Sequence, residues 1–211
     1  MASRADREAT QLSKTLSYLL RHGSKEHRLK MDTNGFSKLD DVIKTIRKML
    51  PKQTITTPRI EDIVKNCKKQ RFKIVEIDGV KFIRANQGHT LKDVESADLK
   101  VIEHFEDGPS GKIIHGTTQQ AWQFIKSSGL NKMKRNHIHM ARGNFGEAKS
   151  GARSSSNIII TINGNQALKD GIKFFESDNG VILSPGNDNG TIETEYFVDV
   201  YDRQLGKQIF P

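Results

Sequence analysis

Cysteine is almost missing from this chain: Cys67 is the single one among 211 residues. An internal disulfide and a multi-cysteine zinc site are thereby excluded. No apolar run approaches the ~20 residues of a membrane span, and nothing near the N-terminus has the apolar core of a signal peptide. The expectation is a reducing intracellular compartment, cytoplasm or nucleus, without membrane contact. Acidic residues are in deficit, 25 against 34 Lys and Arg, giving a formal charge of +9 and a pI near 9.6. An anionic partner or substrate follows, nucleic acid before an acidic membrane surface. The positive charge is scattered, so no basic tail accounts for it. There is no P-loop, no G-x-G-x-x-G after a strand and no G-x-S-x-G. A P-loop kinase, a Rossmann dehydrogenase and an α/β-hydrolase are therefore unsupported.

What is present reads as a soluble globular protein, 35% hydrophobic and 28% charged, of one ordinary domain or two small ones. Leu12, Leu16, Leu19 and Leu20 form the apolar stripe of a helix, with Gly23 expected to close it in a left-handed turn. Arg21 and His22 then sit on its last turn. As cations at a helix C-terminus they complement its dipole by roughly 0.3–1 kcal/mol. Alternatively they face an anionic substrate, His22 trading a proton near neutral pH. Leu39, Val42, Ile43, Ile46, Met49 and Leu50 mark a second helix, closed by Pro51. A third has Thr57 as N-cap and Pro58 at its first position, with Ile60, Ile63, Val64 and Cys67 inward. Cys67 reads as a small core residue rather than a nucleophile.

The period then changes. Arg71–Ile77 and Val80–Ala85 are strand-like and joined by Asp78-Gly79, a two-residue hairpin signal. Three helices followed by a hairpin is the order of a winged-helix module, an analogy at the level of fold. Lys65, Lys68, Lys69, Arg71 and Lys73 gather where the third helix meets the hairpin, either as a solvated charge run or as phosphate contacts. Asn86-Gln87-Gly88-His89 reads equally as a linker turn or a functional loop.

The second half is strand-rich. Ile113–Thr117 is a short strand expected to break at Gly116, and Thr118–Ser128 is a helix stopped by Gly129. His137-Ile138-His139-Met140 alternates, with both imidazoles on one face. A His-x-His pair with His115 as third ligand is one way to hold zinc. No carboxylate or cysteine stands at metal-like spacing, however, and imidazoles also hydrogen-bond ribose and amides. No metal is expected. Ile158–Ile162 reads as a central strand buried on both faces, with Arg153 a few residues ahead of it. Lys173–Glu176 pairs with Val181–Ser184 around Asp178-Asn179-Gly180, and a last strand runs from about Thr194 to Val200.

Seven motifs, in order, carry a resemblance to a known family. They are Leu-Ser-Tyr-Leu-Leu-Arg21-His22, Lys-Gln-Arg71-Phe72, Arg84-Ala-Asn-Gln87-Gly88-His89, Ile-His115-Gly116-Thr117, Arg135-Asn136-His-Ile-His139, Gly151-Ala-Arg153-Ser-Ser and Asn179-Gly180-Val181. The chain resembles the tRNA 2′-phosphotransferases, eukaryotic type, from about Leu12 to Phe197. The resemblance implies an α+β protein: a winged-helix RNA-binding lobe over residues 1–92, followed by a β-rich, ADP-ribosyltransferase-like NAD-binding lobe over 93–211. It implies NAD as co-substrate, no metal, 2′-phosphorylated RNA (spliced tRNA in the family) as partner, and a monomer.

In that family the splice-junction 2′-phosphate attacks C1″ of the nicotinamide ribose, and O2″ then attacks the phosphate. The products are nicotinamide, ADP-ribose 1″,2″-cyclic phosphate and RNA with a free 2′-hydroxyl. The family's Arg-His-Arg-Arg tetrad matches Arg21, His22, Arg71 and Arg153. His115, Gly116 and Thr117, then Arg135, Asn136 and His139, then Val181 match its three NAD motifs, with Ser154 and Asn157 as further candidates for NAD phosphates. Val181 stands where protein-modifying relatives of the fold carry glutamate. Lys69, Lys73, Gln87 and His89 are the candidate RNA contacts. Fixed guanidinium forks suit a crowded phosphate better than a strong base does. Two alternatives remain at this point: capping of terminal RNA or DNA phosphates by ADP-ribose, and a non-enzymatic winged-helix binder.

Overall fold

The computed structural model describes residues 3–91, 94, 99–108, 111–144 and 155–211. The chain divides into two compact units, Met1–Asp98 and Leu99–Pro211. Helices and antiparallel sheets are mixed in it, as an α+β sequence pattern predicts.

The first unit begins with α1 (Arg4–Tyr18), started by a capping box in which Ser3 and Asp6 satisfy each other's backbone N–H groups. It runs on into a π-helical turn, Leu19–Gly23. Leu12, Leu16, Leu19 and Leu20 are all fully buried, each contributing about 1.5–3 kcal/mol by removal from water. Gly23 does not make the predicted left-handed stop. The chain stays right-handed through Ser24, and the left-handed residue comes later, at Arg28 (φ +52°). Glycine is needed at position 23 for another reason: a Cβ there would lie 2.6 Å from the Tyr18 ring.

β1 (Ser37–Lys38), which the sequence reading lacks, leads into α2 (Leu39–Met49), whose Val42, Ile43 and Ile46 are buried. In α3 (Thr57–Lys65) the cap is Thr56, one residue before the predicted Thr57, because the Thr56 hydroxyl accepts from the Arg59 N–H. β2 (Phe72–Ile77) and β3 (Val80–Ala85) pair in full register. Asp78 (φ +49°) and Gly79 (φ +75°) supply the two left-handed residues of a type I′ turn. β1 joins the far edge of β3, so the order is β1-β3-β2.

The second unit is built on an eight-stranded antiparallel sheet. Its elements in chain order are β4 (Lys100–Ile102), β5 (Ile113–Thr117), α4 (Gln119–Ser128), β6 (Leu130–Asn131), β7 (Ile138–Arg142), β8 (Ile158–Ile162), α5 (Gly164–Lys169), β9 (Phe174–Glu176), β10 (Val181–Ser184), β11 (Thr191–Ile192), β12 (Phe197–Asp202) and β13 (Lys207–Phe210). The large sheet runs β13-β12-β8-β5-β7-β10-β9-β4, and β11 pairs with β6 separately. β8 lies inside the sheet with all five residues buried, as its unbroken apolar run predicts. β5 does not break at Gly116; the ladder with β8 continues through Gly116↔Ile159 to Thr117↔Ile158. The predicted last strand is a 3-10 turn over Thr194–Tyr196 followed by β12, and β13 was not anticipated.

The main core sits on one face of this sheet, where Ile113, Met140, Ile160 and Ile182 meet Trp122 of α4 and Ala167 of α5. The other face carries a smaller cluster of Ile114, Ala141 and Ile159. Strand alternation puts His139 on this second face, beside Ala141.

Candidate functional site

In the first unit the π-helical turn keeps Leu19 and Leu20 in the core while His22 is exposed and Arg21 half-buried. The His22 ring is held from outside its helix: Nδ1 lies 3.0 Å from the Thr90 hydroxyl. Thr90 is itself tied down, its backbone N–H donating to the Arg21 carbonyl at 3.1 Å. The Thr90 hydroxyl also points at that carbonyl, at 3.5 Å. A hydroxyl donating to Arg21 O accepts from His22 Nδ1–H, which leaves Nε2 as the nitrogen that exchanges protons.

Arg71 precedes β2, where its carbonyl accepts from the Asn86 N–H at 2.9 Å. The chain therefore bridges Arg71 to Arg21 by the short run from Asn86 to Thr90. Four residues reach at most ~14 Å, so Arg21, His22 and Arg71 share one neighbourhood with Gln87 and His89. His89 packs over the Asp32–Gly35 turn, where a Cβ on Gly35 would meet its Nε2 at 3.2 Å. The 86–90 segment is thus a structured clasp. Cys67 is not the core residue predicted. It is half-buried beyond the end of α3, and its Sγ accepts from the Arg71 guanidinium at 3.4 Å and backbone N–H at 3.5 Å. Lys69 is exposed and Lys73 half-buried, opposite Arg84 on the hairpin.

In the second unit the three predicted nucleotide motifs lie on neighbouring strands, β5, β7 and β10. The β5–β7 ladder pairs end at Ile114↔Ala141. One residue on, the His115 ring reaches across instead, Nδ1 to the His139 carbonyl at 2.8 Å. His139 Nδ1 meets the His137 carbonyl at 3.0 Å. A carbonyl only accepts, so both rings donate from Nδ1 and their neutral forms carry the lone pair on Nε2. Gly116 and Thr117 complete β5. Arg135 is exposed and Asn136 half-buried in the turn entering β7. Val181 is fully buried opposite Ala141, two residues along from the Leu183↔His139 pair.

His137 is pressed against Phe175 with ring centroids 6.0 Å apart. Burial, with Lys132 nearby as a lesser cause, lowers its pKa to about 4. Alternation sets His115 on the sheet face opposite His137 and His139, so the three imidazoles are not arranged as one ligand set. Among the described residues no cluster of three His, Cys, Asp or Glu side chains is placed to hold a metal.

Arg153 and Ser154 lie outside the described residues. Asn157 is committed to structure: its side-chain oxygen accepts from Gln119 N–H at the start of α4, and its N–H donates to Thr117 O. Two residues escaped the sequence reading. Thr90 gave no signal, because its contact with His22 spans 68 residues of chain. Arg84 was quoted within a motif but assigned nothing; it is buried over the Phe36 ring at 4.7 Å.

A phosphate-directed Arg-His-Arg group in one unit, and strand-borne imidazoles suited to ribose hydroxyls in the other, are the equipment of a transferase acting on phosphate esters. The model of the RNA 2′-phosphotransferase, Tpt1 / KptA family matches residues 7–186, and the chain belongs to that family. It is 40% identical over 193 residues to tRNA 2′-phosphotransferase 1 of Homo sapiens, covering 89% of this chain and 73% of that protein. It is 37% identical over 186 residues to the tRNA 2′-phosphotransferase of Saccharomyces cerevisiae, covering 85% and 80%. The putative tRNA 2′-phosphotransferase of Schizosaccharomyces pombe is 39% identical over 188 residues, and the match spans 49% of that longer protein. Among the described residues no helix is long and apolar enough to cross a membrane.

Proposed function

We propose that this protein removes the splice-junction 2′-phosphate from tRNA by transferring it to the ADP-ribose part of NAD. The products are nicotinamide, ADP-ribose 1″,2″-cyclic phosphate and RNA bearing a 2′-hydroxyl. The observation that carries this is the family match over residues 7–186, which spans both units. The helices, the hairpin and the added strand β1 support reading the first unit as a winged-helix lobe that binds RNA. The antiparallel sheet with motifs on β5, β7 and β10 supports reading the second as an ADP-ribosyltransferase-like lobe that binds NAD.

In this reading Arg21, Arg71 and Arg153 hold the 2′-phosphate, each charged hydrogen bond being worth about 1.5–3 kcal/mol. The same guanidinium groups take up the charge that develops on the phosphoryl oxygens during transesterification. His22, oriented by Thr90, exchanges a proton through Nε2 in the second step. NAD supplies the acceptor ribose and the nicotinamide leaving group. His115 and His139 offer Nε2 to ribose hydroxyls, while Gly116, Thr117, Arg135 and Asn136 line the same strand ends. Val181 leaves no carboxylate beside them, which suits a nucleophile that arrives already anionic. Lys69, Lys73, Gln87 and His89 contact the RNA. No metal is invoked.

Incubation with NAD and a 2′-phosphorylated oligonucleotide tests this. The expected result is loss of the phosphate with release of nicotinamide, neither occurring when NAD is omitted. In Arg71→Ala the ADP-ribosylated RNA accumulates if Arg71 acts mainly in the second step. Absence of nicotinamide release from wild type contradicts the proposal. A stable gain of ADP-ribose confined to terminally phosphorylated RNA assigns the protein to capping instead.

A further inference from the structure

A second basic surface lies on the first unit, away from the Lys69–Lys73 corner. The segment after the π-helical turn folds back over α2, and between them runs a groove of ≈ 770 Å³. Arg28, Lys30, Lys38, Lys44 and Lys48 line it, all exposed. Two acidic residues also line it, Asp32 and Asp41. Asp32 is occupied within its own turn, its carboxylate accepting from the Phe36 N–H at 2.7 Å. Asp41 sits in the first turn of α2, where a carboxylate complements the helix dipole. Among the described residues, none of the five cations has a side-chain hydrogen bond or ion pair.

Five unpaired cations around one groove repel one another, and a polyanion laid along it relieves that repulsion. Long, exposed lysines suit a flexible track of phosphates rather than a shaped small-molecule pocket. The groove also connects to the candidate site. His27, on its lining, makes an edge contact with the Tyr18 ring at 6.1 Å, and Tyr18 lies 6.4 Å from the His22 ring. Two ring contacts therefore lead from the proton-exchanging imidazole to the groove.

We propose that this groove binds backbone phosphates of the substrate RNA flanking the reactive nucleotide, so that long RNAs are held and short ones are not. The inference rests on the RNA-phosphotransferase reading. Its test separates the two by measuring binding of an RNA without any 2′-phosphate alongside turnover.

The variant is Lys44→Gln/Lys48→Gln, on the outer side of α2; the control is Lys169→Gln/Lys207→Gln, two exposed lysines of the second unit. Binding to a tRNA-length RNA is followed against salt concentration. Loss of two phosphate contacts makes the slope of log K against log salt shallower by roughly 1.5, and the control leaves it unchanged. Turnover of a 2′-phosphorylated trinucleotide is unaffected in both, which also reports an intact fold. An unchanged slope in the groove variant overturns the proposal, as does an equal change in groove variant and control. Loss of binding to phosphatidylserine vesicles with RNA binding intact overturns it in favour of a membrane contact. If wild type turns over no 2′-phosphorylated RNA but the slope still falls, the groove stands and the proposed function fails.

Discussion

A single hydroxyl governs how the candidate proton-transfer residue is presented. Thr90 Oγ1 sits 3.0 Å from His22 Nδ1 and is fixed by its own backbone bond to Arg21. Thr90→Val keeps the shape and deletes the acceptor, so kcat falls about 3- to 10-fold, the equivalent of a hydrogen bond of ~0.5–1.5 kcal/mol. An acceptor on Nδ1–H favours the imidazolium, so the limb of the pH–rate profile that reports His22 moves to lower pH. Thr90→Ser restores both, which a merely structural loss would not do. His137 offers a second test through stability. Its pKa falls from 6.5 to about 4 in the folded chain, burial being the main cause. The folded state resists protonating it, so its contribution is fully present above pH 6.5 and is lost as pH falls from there through about 4. Thermal melts of wild type and His137→Gln across that interval therefore differ in slope, the wild type losing Tm more steeply. Parallel curves would remove the buried-imidazole account.

At the scale of elements, the junction of α1 with its π-helical turn carries the first unit's site. Gly23→Ala puts a methyl 2.6 Å from the Tyr18 ring, and overpacking of this kind costs ~1–3 kcal/mol. The expected result is a lower Tm, with much of the loss absent when Tyr18→Ala is the background, since neighbouring sites couple. Elements whose signals are local were legible in the sequence. Asp78-Gly79 specifies its turn through two positive φ angles, and the apolar spacing of α2 and the run Ile158–Ile162 specify burial. Elements that owe their existence to a distant partner were not. β1 has two residues, too few to show a period, and exists because β3 pairs with it. Gly116 read as a breaker until β8 supplied its ladder. Gly23 read as a cap because the aromatic ring that demands it is invisible to spacing. The same division applies to the site: the motifs named Arg21, His22 and Arg71, while the Thr90 clasp and the groove depend on contacts across tens of residues.

For the whole molecule, the account gives each compact unit a task in one reaction: Arg21, His22 and Arg71 act on the RNA phosphate, while His115 and His139 bind NAD. The family match runs through both units, in keeping with a reaction that needs the groups of each. An ordinary phosphatase would free inorganic phosphate without NAD, and a pure RNA binder would free nothing. The most direct measurement is the ratio of nicotinamide released to 2′-phosphate lost from a singly 2′-phosphorylated RNA, with inorganic phosphate assayed in the same samples. The account predicts equal amounts of the first two, no inorganic phosphate, and loss of both signals together in Arg21→Ala and in His139→Ala. Phosphate loss that continues without NAD, or that appears as inorganic phosphate, would contradict it.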